Sequence, residues 1–200
     1  MTEHYFSEKP VSVGKKEIIS DIIRGVAVEF IVEPGVFSRR KIDPGTKLLL
    51  ETAIIPKEGI VLDVGAGYGV IGITIAKLNP KLKVYMVDIN KRAVKLCKIN
   101  AKLNNVADRV IVLHGNLYDP LPKNIAFDMI ISNPPYSAGF QVVEKLVKEA
   151  YQKLKKEGTV QLVVRKGEKK LKRILEETFR NTKILASKSG YKVILSVKTT

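Results

Sequence analysis

Cysteine, histidine, acidic side chains and long apolar runs are all scarce in this 200-residue chain, and each scarcity narrows its chemistry. The lone cysteine, Cys97, can form no internal disulfide and has no second thiol with which to hold a metal, which fits a reducing compartment. The two histidines, His4 and His114, lack companions at ligand spacing, so no metal is expected. No stretch approaches the roughly 20 apolar residues that span a bilayer, and the opening residues lack the charged-then-apolar layout of an export signal. The expectation is a cytoplasmic protein with no membrane partner. Acids number 20 against 35 lysines and arginines, for a net charge of +15. Such an excess favours a polyanion such as RNA, because each cation that meets a phosphate releases condensed counterions. The alternative is a lysine-rich surface that only solvates the fold.

What is present points to one α/β domain with a single substantial core, 45% of the residues being hydrophobic. Short β-branched runs at 60–64, 83–88, 110–113, 127–132 and 160–164 read as strands. Between them, Val70, Ile71, Ile73, Ile75 and Leu78 suit a buried helix, and Ala93, Leu96, Cys97 and Ala101 form a helical stripe. Val143, Leu146, Val147, Ala150 and Leu154 repeat the spacing of a core-facing helix. The rhythm predicts a parallel sheet with helices on both faces, each strand followed by a crossover helix. After a basic helix over 169–179, runs at 182–187 and 191–197 flank Ser189-Gly190 and must pair antiparallel. Towards the N-terminus, 18–23 and 26–32 flank Arg24-Gly25 as a β-hairpin, and Asp43 and Pro44 open a helix over 47–53. The chain divides into an extension over 1–43, a hairpin with a lid-like segment, and a main domain over 44–200.

The most informative segment is Asp63-Val64-Gly65-Ala66-Gly67-Tyr68-Gly69, where a strand breaks into glycines and enters a helix. Glycines suit a tight turn that a ligand must touch. A dinucleotide fingerprint requires glycine at position 70, where Val70 stands. Asp63 would repel a phosphate, whereas an acidic lining suits S-adenosylmethionine, which carries a sulfonium and an amino group. Asp88, ending the next strand, is placed to accept hydrogen bonds from both ribose hydroxyls, with Ile89 beside it; alone it reads equally as a helix N-cap. Asn116, with Leu117, is placed to meet the adenine edge, although Gly115-Asn116 is also ordinary turn chemistry. Asn133-Pro134-Pro135-Tyr136 closes the fourth strand. The Asn133 side chain and the Pro134 carbonyl are acceptors suited to a planar –NH₂ group, Pro135 removes a competing N–H, and Tyr136 offers a face for stacking. A lone Asn-Pro-Pro is otherwise a turn. Cys97 lies on an apolar stripe and reads as core. The basic run from Arg165 to Arg173 is either a solvated face or a grip on RNA phosphates.

The glycine loop, Asp88 and Asn133-Pro134-Pro135-Tyr136 together resemble the class I methyltransferases that act on amino nitrogens. Gly35-Val36-Phe37-Ser38-Arg39, followed by Ile42 to Leu50, resembles the block that precedes the glycine loop in RsmC-like small-subunit ribosomal RNA guanine-N2 methyltransferases. The resemblance runs from about Tyr5 to the end of the chain. It implies a Rossmann-like, mostly parallel seven-stranded sheet ending in an antiparallel hairpin, S-adenosylmethionine as cofactor, and ribosomal RNA or an assembly intermediate as partner. It also implies that Phe37 and Arg39 shape the substrate entrance and that Thr46 lies over the cofactor. Set against longer family members, the sequence is expected to do without an additional N-terminal methyltransferase-like domain, which leaves the exact RNA target open. The Asn-Pro-Pro-Tyr motif alone is shared with adenine-N6 and protein-glutamine methyltransferases, and an RNA-binding module without turnover is the third alternative.

Overall fold

The computed structural model describes residues 16–33 and 41–200. At the N-terminal side, β1 (Glu17–Ile23) and β2 (Val26–Val32) form the expected hairpin. Its turn, Arg24 at φ 50° and Gly25 at φ 83°, has the left-handed pair that matches the twist of two tightly linked strands. Asp43 opens α1 (Pro44–Thr52): its carboxylate accepts the Thr46 N–H at 2.8 Å, and Pro44 occupies the first turn.

Strands and helices then alternate as β3 (Gly59–Val64), α2 (Val70–Leu78), β4 (Leu82–Asp88), α3 (Lys91–Leu103), β5 (Val110–His114), β6 (Phe127–Ser132), α4 (Phe140–Lys153), β7 (Leu154–Val164), α5 (Glu168–Phe179), β8 (Lys183–Lys188) and β9 (Tyr191–Val197). The strands from β3 onward make one seven-stranded sheet in the order β5-β4-β3-β6-β7-β9-β8. Pairing is parallel from β5 across to β7, and β9 runs antiparallel to both of its neighbours. This is the α/β architecture expected from the sequence.

Successive residues of the central strands serve opposite faces. Val61, Val84, Met86, Met129 and Ile131 join the core beneath α1, α2, α3 and the hairpin, whereas Leu62, Val64, Tyr85, Val87, Ile130 and Leu162 join the core beneath α4 and α5. The first of these cores also takes in Ile19, Ile23, Val28, Phe30 and Val32, so the packing runs without a break across position 43. The hairpin is held to α3 by two side-chain amides. Asn100 Oδ1 accepts the Ile31 N–H at 2.8 Å while its Nδ2 donates to the Ile31 carbonyl at 3.0 Å, and Asn104 brackets Glu29 in the same way. Phe30 meets Tyr68 edge-on, with centroids 5.6 Å apart.

Two local expectations are corrected. No helix links β5 to β6; the connection is a series of turns whose Tyr118 and Leu121 are buried in the second core, Tyr118 donating its hydroxyl to the Leu146 carbonyl at 2.8 Å. Together with Leu117, these side chains cover there what a helix covers elsewhere. β7 begins at Leu154, well before the apolar run, because its polar first half pairs in an irregular register that includes Glu157 at φ 63°. From β3 the chain moves outward to β4 and β5 and then returns to β6 on the opposite side of β3. That reversal opens a crevice above the carboxyl ends of β3 and β6.

Candidate active site

A cavity of about 520 Å³ occupies this crevice, a size ordinary for a small-molecule site. One half lies over β3, β4 and β5. Gly65, Ala66, Gly67, Asp88, Ile89, Asn116 and Leu117 all line it, so the predicted cofactor residues from three separate loops meet in one place. Gly65 has φ +74°, and a Cβ built there would meet no protein atom within 4 Å, leaving the backbone open to a ligand on that side. Two backbone N–H groups fix the Asp88 carboxylate: Gly67 donates to Oδ2 at 2.7 Å and Asn90 to Oδ1 at 2.8 Å. The N-cap of α3 is Asn90, which accepts from Arg92 and Ala93, so helix capping does not account for Asp88. Apolar walls from Val64, Ile71 and Val87 with one carboxylate at the rim suit an adenosine group bearing a positive charge. The residues present fit S-adenosylmethionine.

Asp63 departs from its expected position on the cavity wall. Strand alternation turns it towards α2 instead, where it is fully buried and its Oδ2 accepts the Gly72 N–H at 2.9 Å. Oδ1 has no hydrogen-bond partner among the described residues. Burial raises its pKa to about 7, against the lowering effect of the Gly72 hydrogen bond and with a further rise from the Asp88 charge. Asp63 therefore ties the end of β3 to the first turn of α2. Cys97 is buried against Met86, with Sγ 3.7 Å from Sδ, and burial holds its thiol well above the ordinary value.

The other half of the cavity lies over β6, β7 and β9. Asn133, Pro134, Pro135 and Tyr136 line it together with Thr46. Asn133 Nδ2 donates to Asp43 Oδ1 at 3.0 Å and to Thr46 Oγ1 at 2.9 Å. Both amide hydrogens are thus engaged, and Oδ1, which takes no hydrogen bond among the described residues, is left to the cavity. Pro135, at φ −77° and ψ 73°, sits at the centre of an inverse γ-turn in which Tyr136 N–H donates to the Pro134 carbonyl at 2.9 Å. Tyr136 is anchored by its hydroxyl, which donates to the Val163 carbonyl at 3.1 Å, and burial raises its phenol pKa.

Among the lining residues that were not expected in the site, Asp43, Arg165 and Tyr191 are linked to one another or to Asn133. Asp43 is explained in sequence terms by its helix cap, which conceals the second bond to Asn133. Arg165 leaves the end of β7, and its guanidinium lies 5.4 Å from the centroid of Tyr191, which opens β9 across the antiparallel pair. The Tyr191 hydroxyl is 3.5 Å from Asp43 Oδ2. Arg165 was visible only as the first residue of the basic run read as a solvated face or a grip on RNA phosphates, and Tyr191 only as the start of a strand. Phe37 and Arg39, expected at the substrate entrance, lie outside the described residues.

A family model described as the methyltransferase small domain matches residues 27–195. The chain belongs to the methyltransferase small domain family. Within it, the chain is a class I, RsmC-like methyltransferase. It is 34% identical over 201 residues to the uncharacterized protein YbxB of Bacillus subtilis, covering 99% of this chain and 100% of that one. It is 36% identical over 164 residues to the ribosomal RNA small subunit methyltransferase C of Serratia proteamaculans, covering 80% of this chain and 46% of the relative. Among solved structures, the T. thermophilus 16S rRNA guanine-N2 methyltransferase RsmC, in complex with AdoMet and guanosine, superimposes with a TM-score of 0.82 at 29% identity over 93% of this chain and 51% of that one. This methyltransferase small domain therefore spans about half the length of the RsmC relatives it matches. No helix among the described residues is long and apolar enough to cross a membrane.

Proposed function

We propose that the chain transfers a methyl group from S-adenosylmethionine to an exocyclic amino group of a nucleic-acid base, with guanine N2 in ribosomal or other structured RNA as the target. The observation that carries this reading is the polarity of Asn133, whose nitrogen is turned to Asp43 and Thr46 so that its carbonyl oxygen is left to the cavity. A base amine offers two hydrogens and a lone pair delocalised into the ring. Asn133 Oδ1 accepts one hydrogen, and the second lone pair of the Pro134 carbonyl, beyond the one used in the γ-turn, accepts the other. As both hydrogens are drawn to fixed acceptors the nitrogen becomes tetrahedral and its lone pair is released for attack on the methyl carbon; S-adenosylhomocysteine is the leaving group, and one of the two N–H protons then passes to water. The anchored Tyr136 ring stacks on the base and sets the angle of approach.

The cofactor, when bound, supplies an electrophilic methyl group. Gly65, Ala66 and Gly67 hold its amino-acid end, Asp88 and Ile89 its ribose, Asn116 and Leu117 its adenine, and Thr46 the approach between the two halves. Asp63, bound to Gly72 of α2, takes no direct part. Phe37 and Arg39 belong to the substrate entrance on the resemblance of their block. The net charge of +15 supports RNA as the partner, and the setting is the cytoplasm, where ribosomal RNA and its assembly intermediates are found.

The test is transfer of a labelled methyl group to total RNA and to ribosomal assembly intermediates, followed by nucleoside mass spectrometry and a nuclease control. Label in N2-methylguanosine is expected. Label in N6-methyladenosine would correct the base, and label that survives nuclease but is lost to protease would replace the nucleic acid with a protein amide.

A further inference from the structure

A carboxamide is nearly symmetrical in shape, and an acceptor for an amine works only if the oxygen is the end it presents. In this chain something must decide which way Asn133 points. Thr46 does not decide it, because a hydroxyl both donates and accepts and would satisfy either orientation. Asp43 does, because a carboxylate offers only acceptors. Rotating the amide by half a turn would set its oxygen against Asp43 Oδ1, 3.0 Å from the amide in the observed arrangement.

The carboxylate is itself held on several sides. Oδ1 also receives the Thr46 N–H at 2.8 Å, and Oδ2 faces the Tyr191 hydroxyl at 3.5 Å. The Tyr191 ring lies so close to α1 that a Cβ on Gly45 would come within 2.6 Å of it. A helix cap alone needs a single oxygen, and serine supplies one. The second oxygen, the charge and the reach to Asn133 exceed what capping requires.

We infer that Asp43 is a positioning residue, which fixes the Asn133 carboxamide with its nitrogen inward and so presents Oδ1 to the acceptor amine. The inference rests on the proposed amine transfer for its consequence, but the clamp is measurable without it. Asp43→Ser keeps a capping oxygen for Thr46 on a side chain one bond shorter, and its hydroxyl, which donates as well as accepts, no longer dictates which end of the amide faces it. Asp43→Asn keeps shape, cap and reach but is able to donate as well as accept, so it restores the clamp only in part.

The experiment follows the assigned Asn133 side-chain amide signals by NMR in the full chain, together with steady-state methyl transfer. In the parent protein the two Asn133 amide protons are expected to be well separated and slow to exchange with water. In Asp43→Ser their exchange accelerates at least about tenfold, kcat falls about 100-fold, as a displaced reacting geometry costs, and the KM for S-adenosylmethionine and the melting temperature stay close to those of the parent. Asp43→Asn falls between the two. Unchanged Asn133 exchange in Asp43→Ser overturns the inference, as does a loss of kcat that only tracks a loss of thermal stability. If the parent protein methylates no nucleic acid, the proposed function fails while the exchange measurement still decides the clamp.

Discussion

Two polar side chains, one lining the cavity and one buried behind it, spend their polarity in opposite ways. Asn133 has both hydrogens bound and its oxygen open to the cavity, so its removal is expected to act on turnover while leaving the cofactor half intact. Asn133→Ala should lower methyl transfer by about 100-fold, the scale seen when one preorganised polar group is deleted from a transition state. Its affinity for S-adenosylhomocysteine, measured by calorimetry, should change by less than about threefold, within the tenfold that 1.4 kcal/mol represents. Asp63 instead sits in the core with one oxygen unpartnered, and its pKa is raised to about 7 by burial. Its ordinary value is 3.8, so between those two pH values the folded protein keeps a proton that the unfolded chain releases. The stability contribution of that proton is complete below about pH 4 and is lost as pH rises through about 7. Thermal unfolding of the ligand-free protein should therefore show a melting temperature that falls from pH 5 to pH 8. In Asp63→Asn, which still accepts from Gly72, the fall should be visibly smaller; equal slopes would show that Asp63 is ionised throughout.

Between elements, the recurring device is an amide side chain standing in for a missing strand. Asn100 brackets Ile31 and Asn104 brackets Glu29 on β2, Gln161 brackets Ile54 at 3.0 and 2.8 Å, and Asn181 brackets Val197 at 2.8 and 2.9 Å. Each satisfies one backbone donor and one acceptor that the sheet does not reach. Asn100→Ala would strand the Ile31 N–H and C=O and the Tyr68 carbonyl, which also receives its Nδ2 at 2.9 Å. Unpaired buried groups cost about 1–3 kcal/mol each. A lower melting temperature is expected, with hydrogen exchange accelerated in β2 and spared in β6 and β7; uniform acceleration would mean that the hairpin and the sheet unfold as one unit. This device also marks where the sequence stops being legible. β3, β4 and β6 were visible because burial on both faces writes a continuous apolar run, and α3 and α4 because a core-facing stripe repeats with the helical period. Gln161 and Asn181 act singly and Asn100 and Asn104 form one i, i+4 pair, so no sustained period announces them. The turns between β5 and β6 bury Leu117, Tyr118 and Leu121, too few and too unevenly spaced to show a pattern. In the site, the glycine loop and the Asn133 motif were legible because their residue types are rare in those places, whereas Asp43 was hidden by having an adequate local explanation.

At the scale of the molecule, the question is whether the excess of 35 basic over 20 acidic residues serves a partner or only the solvent. The two accounts differ in how binding responds to salt. A cation that meets a phosphate releases a condensed counterion, so the logarithm of the affinity falls linearly with the logarithm of the salt concentration, with a slope of about −0.9 per contacted phosphate on a duplex. A structured RNA held through about six phosphates should therefore lose on the order of 10³ in affinity between 50 and 200 mM salt. S-adenosylhomocysteine has no phosphate and enters a cavity lined mainly by uncharged side chains, so its affinity should barely move over the same range. Fluorescence anisotropy with a labelled ribosomal RNA fragment, and calorimetry with the nucleoside, would measure the two side by side. A steep slope for RNA beside a flat one for the nucleoside assigns the basic surface to a polyanion gripped at many points. Two flat slopes would leave the lysines to the solvent, and the substrate would then have to be recognised almost wholly within the cavity, by Asn133, Pro134 and Tyr136.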